Sequence, residues 1–137
     1  MGTKKVAWGV ISTAKIGLNR VLPGMKKSPW CDIRAIASRS EDAARKAADA
    51  LDIPTAYGSY EALLADPSIE AIYNPLPNHL HVPLTLAAAR AGKHVLCEKP
   101  IALTAQEAAQ LRDAAGDVLI AEAFMVRFHP QWLRARE

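Results

Sequence analysis

Short apolar runs alternate along the chain with longer stretches in which apolar residues recur at helical spacing. The runs predict six buried strands, at 5–11, 32–37, 55–57, 69–73, 94–97 and 118–121. The longer stretches predict helices at 14–27, 40–51, 59–66, 81–91 and 104–115, and a helical segment at 130–137. Such alternation with short connections is typical of an α/β protein, in which a doubly wound, parallel, six-stranded sheet carries helices on both faces.

Polar residues at the ends of these stretches support the predicted helices. Ser40 is a good N-cap before two acidic residues, and Thr104 with Glu107 forms a capping-box pattern. Gly92 is well placed to end a helix, and Pro23 is expected to break or restart the first one.

The overall composition is that of one folded domain. The chain has 137 residues, half of them hydrophobic and 23% charged, which argues against disorder. Its net charge is only +3, and no basic run is longer than two lysines, so we expect no nucleic-acid binding. We also expect no membrane span, because no apolar stretch approaches the roughly 20 residues that a bilayer requires.

The N-terminus and the cysteines indicate a cytoplasmic protein. The first five residues lead directly into a strand-like run and show no signal-peptide cleavage pattern. Cys31 and Cys97 lie far apart, and neither has a partner at metal-ligand spacing, so we expect two reduced thiols. His79 and His81 also lack further ligands at a suitable spacing, so no metal site is predicted.

The turn after the first strand is a candidate phosphate-binding loop. A dinucleotide-binding fingerprint would place glycines at positions 12, 14 and 17, whereas this chain has Ser12, Ala14 and Gly17. The two substitutes are small enough for a pyrophosphate to approach the backbone, and Ser12 or Thr13 can donate a hydrogen bond. An ordinary strand-to-helix turn explains the same residues, so this segment alone leaves both interpretations open.

The end of the second strand indicates which dinucleotide would bind. NAD-binding proteins usually carry an acidic residue there, which holds the ribose hydroxyls, but this chain has Ser38, Arg39 and Ser40. A guanidinium beside two hydroxyls suits a 2′-phosphate, which favours NADP(H) over NAD(H). The alternative is a solvated arginine in a loop.

Lys99 is the candidate catalytic residue. It follows a buried strand at the carboxyl edge of the sheet, between Glu98 and Pro100. A partly desolvated lysine can relay protons near neutral pH. The alternative is a surface ion pair between Lys99 and Glu98 with little consequence.

Four strings resemble the N-terminal, NAD(P)-binding, Rossmann-type domain of the glucose–fructose oxidoreductase / inositol dehydrogenase / MocA (Gfo/Idh/MocA) family. They lie at 12–17, 74–81, 95–100 and 121–131, and the resemblance extends from Val6 to Trp132. It is strongest to the branch of dihydrodiol dehydrogenases and NADP-dependent D-xylose dehydrogenases. Three residues depart from the pattern: Ser12 and Ala14 replace glycines, and Val126 stands where an aromatic residue is common.

The resemblance implies roles for individual residues. Lys99 would manage the proton of the substrate hydroxyl, and Pro100, often in a cis bond in the family, would turn Lys99 inward. Glu98 would position the nicotinamide ribose or amide. The predicted cofactor-binding residues are Ser12, Thr13, Ala14, Lys15, Ile16, Ser38, Arg39, Asn74, Pro75, Leu76, Asn78, His81, Glu98 and Lys99.

The resulting hypothesis is an NADP(H)-dependent oxidoreductase that transfers hydride between the nicotinamide and a sugar, polyol or cyclic diol. One alternative is a non-catalytic, nucleotide-sensing regulator on the same scaffold, and another is a domain of this fold that binds no nucleotide. Residues 1–123 would form the dinucleotide-binding domain, and 124–137 would begin the connection to an absent substrate domain. We therefore expect a truncated chain that binds NADP(H) weakly and turns over no sugar alone, and a homo-oligomeric full-length protein.

Overall fold

A single parallel sheet organises the computed structural model, which describes residues 4–137. The six strands are β1 (Val6–Ile11), β2 (Cys31–Ala37), β3 (Thr55–Tyr57), β4 (Ala71–Asn74), β5 (His94–Cys97) and β6 (Ile120–Glu122). Their order is β3-β2-β1-β4-β5-β6, and each neighbouring pair is parallel. This is the predicted doubly wound fold, in which the strand order reverses between β1 and β4.

Six α-helices connect the strands or follow them. They are α1 (Leu22–Lys26), α2 (Glu41–Ala50), α3 (Tyr60–Leu64), α4 (His81–Arg90), α5 (Ala105–Ala114) and α6 (Pro130–Ala135). A π-helical segment (Gly17–Val21) runs into α1, and 3₁₀ turns (Asn78–Leu80 and Met125–Arg127) precede α4 and α6. No helix within the described residues is long and apolar enough to cross a membrane.

The first helix does not break at Pro23, contrary to the prediction. The chain is helical from residue 15 to residue 26, and Pro23 lies inside α1. The irregularity comes earlier, because the Leu22 N–H donates to the Gly17 carbonyl, five residues back. Proline has no N–H to donate, and the widened π-helical turn before it lets the helix continue through that position.

Two predicted strands differ from the structure at both ends, while β1 and β2 each differ by one residue at their start. The strand predicted at 69–73 begins at Ala71 and extends through Asn74, which pairs with Cys97 of β5. The strand predicted at 118–121 comprises Ile120–Glu122. Ile69 is buried although it precedes β4, so its apolar character indicates burial and not strand pairing.

The predicted N-caps at Ser40 and Thr104 and the predicted helix end at Gly92 are confirmed, whereas the carboxylate half of the capping box differs. The Ser40 hydroxyl accepts a hydrogen bond from the Ala43 N–H at 3.3 Å, and the Thr104 hydroxyl accepts one from the Glu107 N–H at 3.1 Å. The Glu107 carboxylate reaches back one residue further than a capping box requires and accepts from the Leu103 N–H at 2.8 Å. Gly92 adopts the left-handed conformation after α4, with φ of 72°.

Each face of the sheet buries its own core, since successive residues of a strand point to opposite sides. Val10 and Tyr73 belong to the core that contains residues of α1 and α2, whereas Ile11 and Ile72 belong to the core that contains residues of α3 and α4. The resulting support on both faces fixes the carboxyl ends of the central strands.

Candidate cofactor site

The strand register brings the predicted site segments to one edge of the sheet. Ile11 at the end of β1 lies opposite Ala37 of β2, so the turn at Ser12 adjoins Ser38. Asn74 at the end of β4 lies opposite Cys97 of β5, so the loops that follow these two strands are also neighbours. This edge includes the point between β1 and β4 where doubly wound proteins bind their ligands.

A largely apolar cleft of about 780 Å³ opens at this edge. Half of the predicted site residues line it: Ile16, Pro75, Leu76, Asn78, His81, Glu98 and Lys99. Sequence reasoning did not assign the other lining residues to the site: Arg20, Val21, Leu96, Glu122, Ala123, Phe124, Met125 and Phe128. The remaining seven predicted residues lie outside this cleft.

The turn after β1 is closely packed. Ser12 is nearly buried, and its hydroxyl oxygen accepts a hydrogen bond from the Ala14 N–H at 2.9 Å. A Cβ atom added at Gly17 would lie 3.5 Å from both the Tyr73 ring and Pro75. The start of the helix therefore rests on the end of β4 and the loop after it. Thr13 is half-buried, while the Lys15 side chain is exposed.

Arg39 stands at the end of β2 with a free guanidinium. It is exposed, and it forms no ion pair with any residue between positions 4 and 137. The neighbouring backbone is held in place, because the Ser38 N–H donates to the Tyr57 carbonyl at 3.1 Å. Ser40 caps α2. An unpaired guanidinium at this position can bind an anionic group without first breaking an internal contact.

Asn74 lies below the cleft instead of facing it. Its side chain is fully buried, and its amide nitrogen donates to the His81 carbonyl and to the Thr85 hydroxyl, each at 3.2 Å. Its amide oxygen accepts from the Leu76 N–H, also at 3.2 Å. Both ends of the side chain are thus used to hold the loop between β4 and α4.

His81 joins the two loops that form the floor of the cleft. Its ring is buried, with Nδ1 2.7 Å from the Pro100 carbonyl oxygen and Nε2 2.7 Å from the Leu76 carbonyl oxygen. Both partners are carbonyl oxygens, which accept hydrogen bonds, so the ring lies between the two loops and contacts each of them. His81 therefore reaches the cleft, while both of its nitrogens are engaged by the protein.

Glu98 and Lys99 lie at the end of β5. The Glu98 N–H donates to the Asn74 carbonyl at 2.9 Å, and its carboxylate accepts from the Tyr73 hydroxyl at 2.8 Å and from the Lys99 N–H at 3.3 Å. Lys99 is exposed and lines the cleft, and the Lys99–Pro100 bond is cis. Within residues 4–137, no ion pair joins the Lys99 ammonium to Glu98 or to another carboxylate.

Two buried groups beside the site keep their protons. Burial raises the pKa of Tyr73, and so does its hydrogen bond to Glu98, so the phenol stays a hydrogen-bond donor. Burial raises the pKa of the Cys97 thiol to about 11. Cys31 and Cys97 are both free, as predicted. The described part of the chain contains no group of three side chains suited to hold a metal ion.

Sequence reasoning missed contributions that depend on three-dimensional proximity. Tyr73 looks like a core residue of a strand, and nothing in the pattern indicates that its hydroxyl reaches Glu98. Glu122 lines the cleft and accepts a hydrogen bond from the Ile101 N–H at 2.9 Å. Arg20 had a usable signal, because it lies four residues after Ile16 and so shares its face of the helix.

Comparison with known proteins finds relatives that align with nearly the whole chain. It is 52% identical over 132 residues to D-xylose 1-dehydrogenase (NADP(+)) 2 of Haloferax volcanii, covering 95% of this chain and 40% of that protein. It is 52% identical over 130 residues to an uncharacterised oxidoreductase of Rhizobium meliloti, covering 93% of this chain and 39% of that protein. The chain thus spans about two-fifths of the length of these relatives.

A solved structure and a family model agree with this result. A 3-ketoreductase from Actinomadura kijaniata, crystallised with NADP and TDP-benzene, superposes with a TM-score of 0.91 at 36% identity, covering 96% of this chain and 41% of that one. The matching family model is described as an oxidoreductase family with an NAD-binding Rossmann fold. Because that model matches residues 6–118, most of the sequence, the chain belongs to the Gfo/Idh/MocA oxidoreductase family.

Proposed function

We propose that this chain is the NADP(H)-binding domain of an oxidoreductase that transfers hydride between the nicotinamide and a sugar, polyol or cyclic diol. The observation that carries the proposal is the grouping of three features at one sheet edge. These features are the small-residue turn at Ser12, the unpaired guanidinium of Arg39, and the exposed amine of Lys99 beside the apolar cleft. Together they match a phosphorylated dinucleotide that runs from the end of β2 to the end of β5.

The residues at this edge suit the parts of NADP(H) in turn. Ser38 and Arg39 would hold the 2′-phosphate through charge-assisted hydrogen bonds. The segment from Ser12 to Ile16 would hold the pyrophosphate, because it joins a strand end to the start of a helix. Leu76 and Asn78 would contact the nicotinamide half in the cleft. When bound, the cofactor supplies the hydride chemistry, and the protein supplies orientation and electrostatics.

Lys99 would act at the substrate oxygen. Its amine is exposed at the cleft and is not held by a carboxylate of the described chain. A protonated amine can donate a hydrogen bond to a carbonyl oxygen, and a neutral one can take a proton from a hydroxyl. A pure nucleotide sensor has no need of such a group, which favours the enzyme over the regulator.

The relatives support the cofactor and the substrate class. The D-xylose 1-dehydrogenase is NADP-dependent by name, and the 3-ketoreductase was crystallised with NADP. The chain spans only about two-fifths of these proteins, and the activity that we propose is that of the whole protein. We further propose that 124–137 begin a connection to a substrate domain, since residues 127–137 are all exposed. We also propose that the protein is cytoplasmic and that the full-length protein is a homo-oligomer.

Titration with NADPH and NADH tests the cofactor assignment. The wild-type chain should bind NADPH more tightly than NADH, measured by the fluorescence of the reduced nicotinamide. Charge-assisted hydrogen bonds contribute about 1.5–3 kcal/mol, so Arg39→Ala should weaken NADPH binding by roughly tenfold or more. NADH binding should change by less than about twofold, because NADH lacks the 2′-phosphate.

Arg112→Ala is the matched control. Arg112 is an exposed arginine on α5 that pairs with Asp113, so its loss removes the same charge away from the predicted phosphate site. If Arg112→Ala weakens NADPH binding as much as Arg39→Ala does, general electrostatics explains the effect and the assignment of Arg39 fails. Tighter binding of NADH than of NADPH by the wild type would overturn the choice of cofactor.

A further inference from the structure

We propose that Tyr73 is a positioning residue that supports the helical segment 15–26 with its ring and fixes the Glu98 carboxylate with its hydroxyl. The inference rests on the proposed function, because it assigns Tyr73 a task at the nicotinamide end of the cofactor site. It predicts that the Tyr73 hydroxyl governs affinity for the nicotinamide half and that its removal leaves affinity for the adenosine half unchanged.

The hydroxyl contact is specific. Tyr73 is fully buried on β4, and its phenolic O–H donates to Glu98 Oε1 at 2.8 Å. A phenol is protonated at neutral pH, and the raised pKa of Tyr73 extends this donor state to higher pH. Because Glu98 lines the cleft, the bond links a group inside the core directly to a group that faces the cofactor.

The ring is held by the centre of the sheet. Tyr73 is paired with Val10 of β1 and with Leu96 of β5, so strands on both sides fix its backbone. A Cβ at Gly17 would lie 3.5 Å from the Tyr73 ring, so the ring lies close to the helical segment 15–26. One side chain therefore connects the turn after β1 with the end of β5.

This arrangement also controls the pairing of Lys99. The Tyr73 hydroxyl donates a hydrogen bond to Glu98 Oε1, and the Lys99 backbone N–H donates one to Oε2 at 3.3 Å. Both carboxylate oxygens are thus engaged, and the Lys99 ammonium forms no ion pair within residues 4–137. Without the phenol, Glu98 Oε1 loses its partner and can rotate toward the ammonium. Tyr73 consequently keeps the lysine amine available to a bound ligand.

The test compares Tyr73→Phe with Tyr57→Phe. Tyr57 also donates to a carboxylate, Asp66 at 3.0 Å, but it belongs to β3 and does not line the cleft. Each variant is titrated with NADPH and with adenosine 2′,5′-bisphosphate, which lacks the nicotinamide half. Tyr73→Phe should weaken NADPH binding by about three- to tenfold, the usual effect of one lost hydrogen bond. Its affinity for the bisphosphate, and both affinities of Tyr57→Phe, should stay within about twofold of the wild type.

The ligand pair separates the possible outcomes. If the wild type binds neither ligand, the proposed function fails. If it binds both and Tyr73→Phe has wild-type affinity for each, the positioning role is refuted. Equal losses for both ligands would also refute it, because a general structural defect does not discriminate between the two halves.

Glu98→Gln provides a second variant that keeps the side-chain shape. It weakens the acceptor and leaves the Tyr73 ring in place, so the packing against Gly17 is retained. It should reproduce the selective loss of NADPH affinity even if Tyr73→Phe does not fold. Wild-type NADPH affinity in Glu98→Gln would overturn the inference. In the double variant with Tyr73→Phe, the two losses should be less than additive, as expected for groups in direct contact.

Discussion

The Asn74→Ala substitution tests whether Asn74 supports the cofactor site from inside the fold or binds the cofactor directly. The structure predicts a loss of stability, because the side chain is fully buried and makes three hydrogen bonds of 3.2 Å. Those bonds connect it to the Leu76 N–H, the His81 carbonyl and the Thr85 hydroxyl. Alanine removes all three bonds and leaves the buried Leu76 N–H without its partner.

The expected magnitude follows from these contacts. At about 1 kcal/mol for each bond, the free energy of unfolding should fall by about 3 kcal/mol. For a chain of this size each kcal/mol corresponds to roughly 4 °C, so the melting temperature should fall by about 12 °C. Thr85→Val removes only one partner and should cost about 1 kcal/mol. Because the two residues are in contact, the losses in the double variant should be less than additive.

Urea denaturation followed by circular dichroism measures these changes. Asn19→Ala is the control, since Asn19 is exposed on the π-helical segment and should change stability by less than about 0.5 kcal/mol. NADPH titration of the folded Asn74→Ala variant completes the test. A variant with wild-type stability and much weaker NADPH binding would show that the Asn74 side chain contacts the cofactor, and would refute the internal role.

Two further predictions concern packing and pH. Gly9→Ala should destabilise the chain by about 1–3 kcal/mol, because the added Cβ would lie 2.8 Å from the Leu63 side chain. The Cβ added by Gly24→Ala would have no atom of the described chain within 4 Å apart from its own helical segment, so this variant should stabilise helix α1 by about 0.5 kcal/mol. Thermal melts decide between them, and equal shifts would contradict the packing argument. The Lys4 ammonium lowers the pKa of Glu70 in the folded state, so Glu70 stabilises the fold above its usual pKa of 4.5 and loses this effect as the pH falls. Glu70→Gln should therefore reduce stability near neutral pH and flatten its fall below pH 4.5; parallel acid-unfolding curves for the two proteins would refute this.

Local sequence patterns were sufficient to predict the fold and the position of the candidate site. The alternation of apolar runs predicted six strands, and Ser40 and Thr104 marked helix starts because an N-cap acts on backbone groups only a few residues away. These elements imply a parallel topology, which places the ends of β1, β2, β4 and β5 at one edge of the sheet.

Individual side-chain roles needed the tertiary structure. The family resemblance suggested cofactor contacts for Asn74 and His81, yet packing directs the polar atoms of both into the protein. The end of β4 differs from the prediction, because pairing with β5 extends the strand through Asn74, which is not apolar.

The sequence by itself determined the fold class, the family, and the segments that meet at the candidate site, because each leaves a local signature in the chain. Only the tertiary structure decided that Tyr73 holds Glu98, a residue 25 positions away, and that the Lys99 ammonium is left unpaired by the described residues. The reason is physical: a hydrogen bond between distant residues depends on the register of whole strands and on burial from both faces. No short stretch of sequence contains that information.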